Sequence, residues 1–480
     1  MKKILISALS SALLLAGCSL EPDYARPEAP VPAAWPSGPA YDGAAATRKP
    51  DGRLMADLGW REFFRSEPLQ RVIETALRNN RDLRVAALNI EQARAQYRIE
   101  RAALVPNLAA DASGTRARTP ASLSATGQAM TASQYSVQGG IAAYEVDLFG
   151  RVRSLRNKAL EEYFATAEAR DAVEISLIAE VANAWLTLQA DRQLLALTEE
   201  TLATQEESLR LIGRSYERGV ASRLDLAQAQ TSVETARVNR ALYLRQVAQD
   251  RNALTLLVGA PLDDAELPAG AMVGVESLVA DLPAGLPSDL LQRRPDIREA
   301  EHRLKAASAN IGAARAAFFP NITLTATGGT ASSALSDLFA ARTGTWLFSP
   351  AISLPIFDAG RNQANLDAAK AQRDIGVAQY EKTIQSAFRE VADALAGRGT
   401  FEDQAKAQAA LVAAADESHR LAKLRYDKGI DSYLNVLDAQ RSLYGAQQAL
   451  IGIELGRLNN LVTLYKVLGG GLDRMEANRE

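Results

Sequence analysis

Apolar residues step by seven along one stretch of the chain: Val181, Leu188, Leu195, Leu202, Leu209 and Tyr216. A strict seven-residue repeat falls just short of two turns of straight helix, so keeping that stripe against a neighbour requires a left-handed supercoil. All of the stripe but Tyr216 lies within Arg151–Ile212, 62 residues without proline. As a single helix that run extends about 93 Å, where globular helices average roughly 11–12 residues. The second copy, with its long run Arg361–Leu424, keeps Val391, Val412 and Tyr426 in phase and sets Arg398, Ala405 and His419 between them. His419 therefore reads as a seam residue rather than a ligand. Each long run is followed by a further helical stretch, Leu224–Val258 and Leu434–Leu468.

Elsewhere the period falls to two. Ile322, Leu324 and Ala326 interleave with Asn321, Thr323, Thr325 and Thr327, and Leu108, Ala110 and Ala112 with Asn107, Asp111 and Ser113. A further strand puts Trp346, Phe348, Ile352, Leu354 and Ile356 on one parity and Ser349 and Ser353 on the other. Such alternation predicts strands with one apolar and one polar face. Four strands bury little as a soluble sandwich. As membrane strands they meet a different limit, because a barrel needs about eight strands and an open edge in lipid is not tolerated. Several chains must then share one barrel, and three chains supply twelve strands.

The chain repeats itself. Arg81-Asp82-Leu83-Arg84 and Val105-Pro106-Asn107-Leu108 recur 214 residues later as Pro295-Asp296-Ile297-Arg298 and Phe319-Pro320-Asn321-Ile322. Gly150-Arg151, Glu180-Val181-Ala182-Asn183-Ala184 and Tyr216-Glu217-Arg218-Gly219-Val220 recur at an offset of 210, as Gly360-Arg361, Glu390-Val391-Ala392-Asp393-Ala394 and Tyr426-Asp427-Lys428-Gly429-Ile430. The change of offset predicts a loop about four residues longer in the first copy. Each copy reads as one helical stretch (Leu69–Val105, Ser288–Phe318), two strands and a long helical pair. The resulting organisation is a first repeat over 68–258, a connector rich in proline and glycine over 259–287, a second repeat over 288–470 and a polar tail over 471–480. Each helical pair turns at Gly219 or Gly429, which suit the left-handed conformation that ends a helix, with Ser222 or Ser432 placed to cap the next.

Lys2 and Lys3 followed by the apolar run Ile4–Ala16 form a segment too short to span a bilayer and suited to a secretory signal. It ends Leu15-Ala16-Gly17-Cys18, similar to a bacterial lipobox, with 1–17 as the signal and Cys18 as the lipidated first residue of the mature chain. Seven prolines between Glu21 and Pro50 forbid regular structure there, so 18–67 reads as a lipid-anchored extended segment.

Composition narrows the chemistry. There are 54 basic and 57 acidic residues, one cysteine and two histidines. No basic face for nucleic acid stands out, and a Cys/His zinc site cannot be assembled. No spacing of acids and bases singles out an enzyme active site, and Gly469-Gly470-Gly471 lacks the Lys-Ser/Thr of a nucleotide loop. No cofactor is expected beyond the lipid on Cys18.

The lipobox, the duplication and the strands set between long helices resemble the TolC family of outer-membrane efflux channels, in its OprM/NodT-type lipoprotein branch. Leu286-Pro287-Ser288-Asp289-Leu290-Leu291, Arg293-Arg294-Pro295-Asp296-Ile297 and the run from Tyr426 to Leu443 carry the likeness. It implies a mainly α chain with a small β part, which contributes four strands to a trimeric twelve-stranded transmembrane barrel and long helices to an α-helical coiled-coil tunnel. It also implies a homotrimer in outer-membrane lipid, a periplasmic adaptor protein, and an inner-membrane transporter, most often proton-driven. By position, Leu434 and Asp438 would narrow the periplasmic gate, with Tyr426, Arg441 and Asp225 in the network that holds it shut. Gly219, Val220, Gly429 and Ile430 would form the adaptor-docking tips. Asn435 stands where some members carry a second acid, so a double acidic ring is not implied. The competing reading is a non-conducting coiled-coil strut in the outer membrane.

Overall fold

A computed structural model describes residues 19–42, 57–125, 127–268, 285, 287–470 and 472. The signal segment, Cys18, most of the connector and nearly all of the tail lie outside the described residues. The chain divides into two compact units that cut across the repeats, each drawing on both copies. One comprises Met1–Glu28, Asn89–Thr166 and Glu299–Tyr380; the other comprises Ala29–Leu88, Ala167–Arg298 and Glu381–Glu480.

The elements run α1 (Trp60–Phe63), α2 (Glu67–Asn79), α3 (Arg81–Ala102), β1 (Leu108–Thr119), β2 (Met130–Glu145), α4 (Arg151–Glu217), α5 (Arg223–Val258), α6 (Pro287–Arg293), α7 (Pro295–Ala316), β3 (Asn321–Ser332), β4 (Gly344–Ser353), α8 (Arg361–Asp427) and α9 (Tyr433–Val467). The proline-free runs form helices of 67 residues each, α4 and α8. The single helical stretch expected before each strand pair is broken in two. Asn80 takes an extended conformation between α2 and α3 and accepts the Leu83 N–H on Oδ1 at 2.9 Å, capping α3. Pro295 forces the matching break at Arg294, since the residue before a proline is driven out of the helical region. Among the described residues no helix is long and apolar enough to cross a membrane.

The first unit holds an antiparallel sheet in the order β1-β2-β3-β4. Its register sorts the side chains. Leu108 pairs with Ile141, Ala112 with Val137, Ile322 with Ile352 and Ala326 with Phe348, all on one face. Ser113 pairs with Ser136, Asp111 with Gln138 and Thr325 with Ser349 on the other, where the Ser113 and Ser136 hydroxyls hydrogen-bond at 2.8 Å. The alternation read from sequence thus forms two faces, one polar and one apolar over the helix-proximal part of the sheet. Leu354 and Ile356 fall beyond the end of β4. The extra residues of the first copy are not in the hairpin loop, which spans 120–129 against 333–343 in the second copy. They lie in β2, 16 residues against 10 in β4, with a bulge between Ile141 and Tyr144 that puts Ala143 at φ +51°. The longer strand absorbs the insertion because a bulge admits an unpaired residue without breaking the ladder.

The second unit is packed around aromatic side chains. The Phe63 ring stacks on Tyr465 with centroids 4.0 Å apart, and the Tyr465 hydroxyl donates to the Leu58 carbonyl at 2.7 Å. Along the heptad stripe Val181 and Leu188 are fully buried, Leu195, Leu202 and Leu209 half-buried, and Tyr216 exposed. Burial within one chain therefore fades toward the turn.

Candidate functional site

The two helical turns have the same backbone. Gly219 (φ +75°) donates to the Tyr216 carbonyl at 2.9 Å and Val220 to Ser215 at 2.9 Å; Gly429 (φ +71°) donates to Tyr426 at 2.8 Å and Ile430 to Arg425 at 2.9 Å. This is the Schellman arrangement, which needs a left-handed residue and so selects glycine. Val220 and Ile430 stand exposed at the two tips.

Side chains close the turns differently. In the first, Ser222 and Asp225 form a capping box: the Asp225 N–H donates to Ser222 Oγ at 3.1 Å and the Ser222 N–H to Asp225 Oδ2 at 2.9 Å. In the second, Ser432 makes no side-chain cap, contrary to the sequence expectation. Asp431 instead pairs with Arg425, whose guanidinium holds the Asp431 carboxyl below its usual range. Sequence reasoning missed this pair, although Arg425 and Asp431 flank the turn at a visible spacing.

The start of α9 has two faces. Tyr433, Val436 and Leu437 pack with Ile212 of α4 and Ala229 of α5 in a small core, with Leu209, Leu226 and Tyr426 against it. Leu434 and Asp438 lie on the opposite, exposed side with Arg441, and Arg441 Nη1 sits 3.5 Å from Asp438 Oδ1. Tyr426 packs its ring 5.3 Å from that of Tyr433. Burial raises the Tyr426 phenol, and the charges of Asp225 and Asp427 raise it further. Of the expected residues, Asp438 and Arg441 meet on the exposed face beside Leu434, whereas Tyr426 packs on the opposite, buried side and Asp225 is committed to its cap. A groove of about 440 Å³ beside them is lined by Ser208, Leu211, Ser215, His419 and Lys423 among others. Burial, and then the Lys423 charge, lower the His419 imidazole below its ordinary value.

Farther along the pair, α4 and α5 are tied by Arg240–Glu199 at 2.9 Å and Arg237–Glu206 at 2.8 Å. Next in line is an acidic couple, Asp191 and Asp250. Burial first, and then Asp250, push the Asp191 carboxyl up to about 7.

The outer membrane efflux protein family matches residues 72–260 and again 286–470, one match to each repeat. The chain is 57% identical to the toluene efflux pump outer membrane protein TtgC of Pseudomonas putida, covering 98% of this chain and 96% of that one. It is 47% identical to the outer membrane protein OprJ of Pseudomonas aeruginosa over 98% of this chain and 96% of that one. Among solved structures, the open-state MtrE outer membrane channel of Neisseria gonorrhoeae superposes with a TM-score of 0.85 at 42% identity, over 95% of this chain and 99% of that one.

Proposed function

The chain belongs to the outer membrane efflux protein family, and from that premise we propose that three copies form the passive outer-membrane duct of a tripartite pump. The observation that carries the reading is the two-faced sheet. Four strands with a polar face and a face that is apolar over its helix-proximal part suit a barrel wall between lipid and water, and they require partner chains to close it. The fading burial of the heptad stripe agrees, since helices that leave their seam half-covered in one chain complete it against neighbours. Energy comes from an inner-membrane transporter, probed first among proton-driven ones. A periplasmic adaptor docks at the Gly219–Val220 and Gly429–Ile430 tips. Leu434 and Asp438 narrow the closed mouth, where three Asp438 carboxylates around an axis favour cations over anions.

Cys18 carries the lipid anchor in this reading. Support comes from the residues that follow it. The Leu20 carbonyl accepts from Arg315 Nη1 at 3.1 Å, and Glu21 accepts from Asn157 Nδ2 at 2.9 Å. Arg315 lies in the last turn of α7, six residues before β3 begins at Asn321. A lipid attached just upstream would meet the membrane at the helix-proximal base of the sheet.

Complementation tests the duct reading. A strain lacking its own channel and loaded with a fluorescent pump substrate is expected to recover export when it expresses this chain. Full expression in the outer membrane with no recovery favours the strut.

A further inference from the structure

The apolar face of β1 changes character before the strand ends. Leu108, Ala110, Ala112 and Gly114 share that face, and the next two positions on it are Arg116 and Arg118, opposite Ser133 and Thr131 of β2. Two contacts fix the parity. The Tyr135 ring lies over Gly114, 3.1 Å from where a Cβ would sit, while Ser113 and Ser136 meet on the other face. Both arginines are exposed, and neither forms a hydrogen bond or ion pair among the described residues. The chain carries no acidic residue between Asp111 and Glu145 that could neutralise them. In order along the face come apolar side chains, one tyrosine and two free guanidinium groups. That is the sequence of environments met on leaving a hydrocarbon layer through its interface into a charged headgroup zone.

Position along the strand agrees. Arg116 is eight residues from Leu108, about 27 Å at 3.4 Å per residue. With a barrel strand tilt of about 40° this is about 21 Å along the axis, near the top of an apolar band about 25 Å tall. Both arginines lie toward the 120–129 hairpin, the sheet end away from the helices. A membrane-facing arginine pair with no partner among the described residues is suited to bidentate contact with phosphate oxygens.

We infer that Arg116 and Arg118 form an outward-facing binding surface for the phosphate groups of outer-leaflet lipid, anchoring the barrel rim in that leaflet. The inference rests on the channel reading, because only a membrane-inserted sheet puts this face against lipid.

The test uses the full chain in detergent micelles doped with bisphosphorylated lipid A, with its dephosphorylated form, or with inorganic phosphate. Protein-bound lipid is quantified by mass spectrometry, and conductance is recorded in planar bilayers from the same preparations. Wild type is expected to retain the phosphorylated lipid. R116Q/R118Q is expected to bind it about thirtyfold more weakly, and R116K/R118K to recover part of the loss, both variants still conducting like wild type. Equal retention of phosphorylated and dephosphorylated lipid, equal retention by wild type and R116Q/R118Q, or equally tight binding of inorganic phosphate overturns the inference while leaving a conducting channel intact. A wild-type chain that inserts into bilayers and conducts nothing overturns the channel reading and this inference together.

Discussion

Arg294 donates from Nη1 to the carbonyl of Val467 at 3.0 Å, tying the break between α6 and α7 to the last turn of α9. The same tie exists in the other repeat, where Asn80 Nδ2 donates to the Leu257 carbonyl at 2.8 Å. Asn80 and Arg294 are 214 residues apart and Leu257 and Val467 are 210 apart, the two offsets of the duplication. The glycines beyond complete the match. A Cβ on Gly259 would strike the Asn79 carbonyl oxygen at 2.5 Å, and one on Gly469 the Arg293 carbonyl oxygen at 3.1 Å.

Arg294 does more than its mate. It is nearly buried and also bonds Asp296, with contacts of 2.6 and 3.0 Å, and Glu390 at 2.9 Å. Arg294→Ala removes charge-assisted bonds to two carboxylates that water still reaches, together with the bond to Val467, so a loss of about 2–3 kcal/mol is expected, against about 1 kcal/mol for Asn80→Ala. Denaturation of the purified protein checks the order, and equal losses would contradict it.

The Asp191–Asp250 pair gives stability a pH dependence. The Asp191 carboxyl is raised to about 7 from an ordinary value near 4. Its contribution is complete below the ordinary value and is lost as pH rises through about 7. Wild type is therefore expected to lose melting temperature between pH 5 and 8 by more than Asp191→Asn does. Parallel melting curves for the two would remove the pair from the account.

Glycine has different meanings at the turns and in the sheet. Around Gly219 and Gly429 there is open space, so alanine there meets only the left-handed backbone, at about 1–2 kcal/mol. Hydrogen exchange at the Val220 and Ile430 amides should quicken about five- to thirtyfold, with assembly unchanged.

At Gly329 an added Cβ would run into the Val137 carbonyl of the neighbouring strand. Gly329→Ala is expected to prevent sheet assembly, read as loss of heat-modifiable gel mobility. Normal assembly of that variant would show that the close strand approach is dispensable.

Much of this architecture was legible in the sequence because two periods dominate it. Seven-residue spacing marked α4 and α8, and alternation marked which strand residues share a face. The breaks at Asn80 and Arg294 were less visible, since each interrupts an otherwise helical pattern for a single residue, although Pro295 signals the second. At the turns, glycine betrayed the backbone, while the side-chain closure was not legible. Ser222 and Ser432 occupy equivalent positions, yet only Ser222 has an acid three residues on to complete a box, Asp225. Asn435 stands at the matching place in the second copy and leaves Ser432 without one. Leu434, Asp438 and Arg441 were named from the family resemblance, and their shared exposed face on α9 is what the geometry adds.

The most direct test of the duct is single-channel conductance of the purified protein in a planar bilayer, wild type against Asp438→Ala. Small, cation-selective currents are expected from wild type, and larger, less selective ones from the variant. Confirmed insertion of both proteins with no current from either would contradict the account.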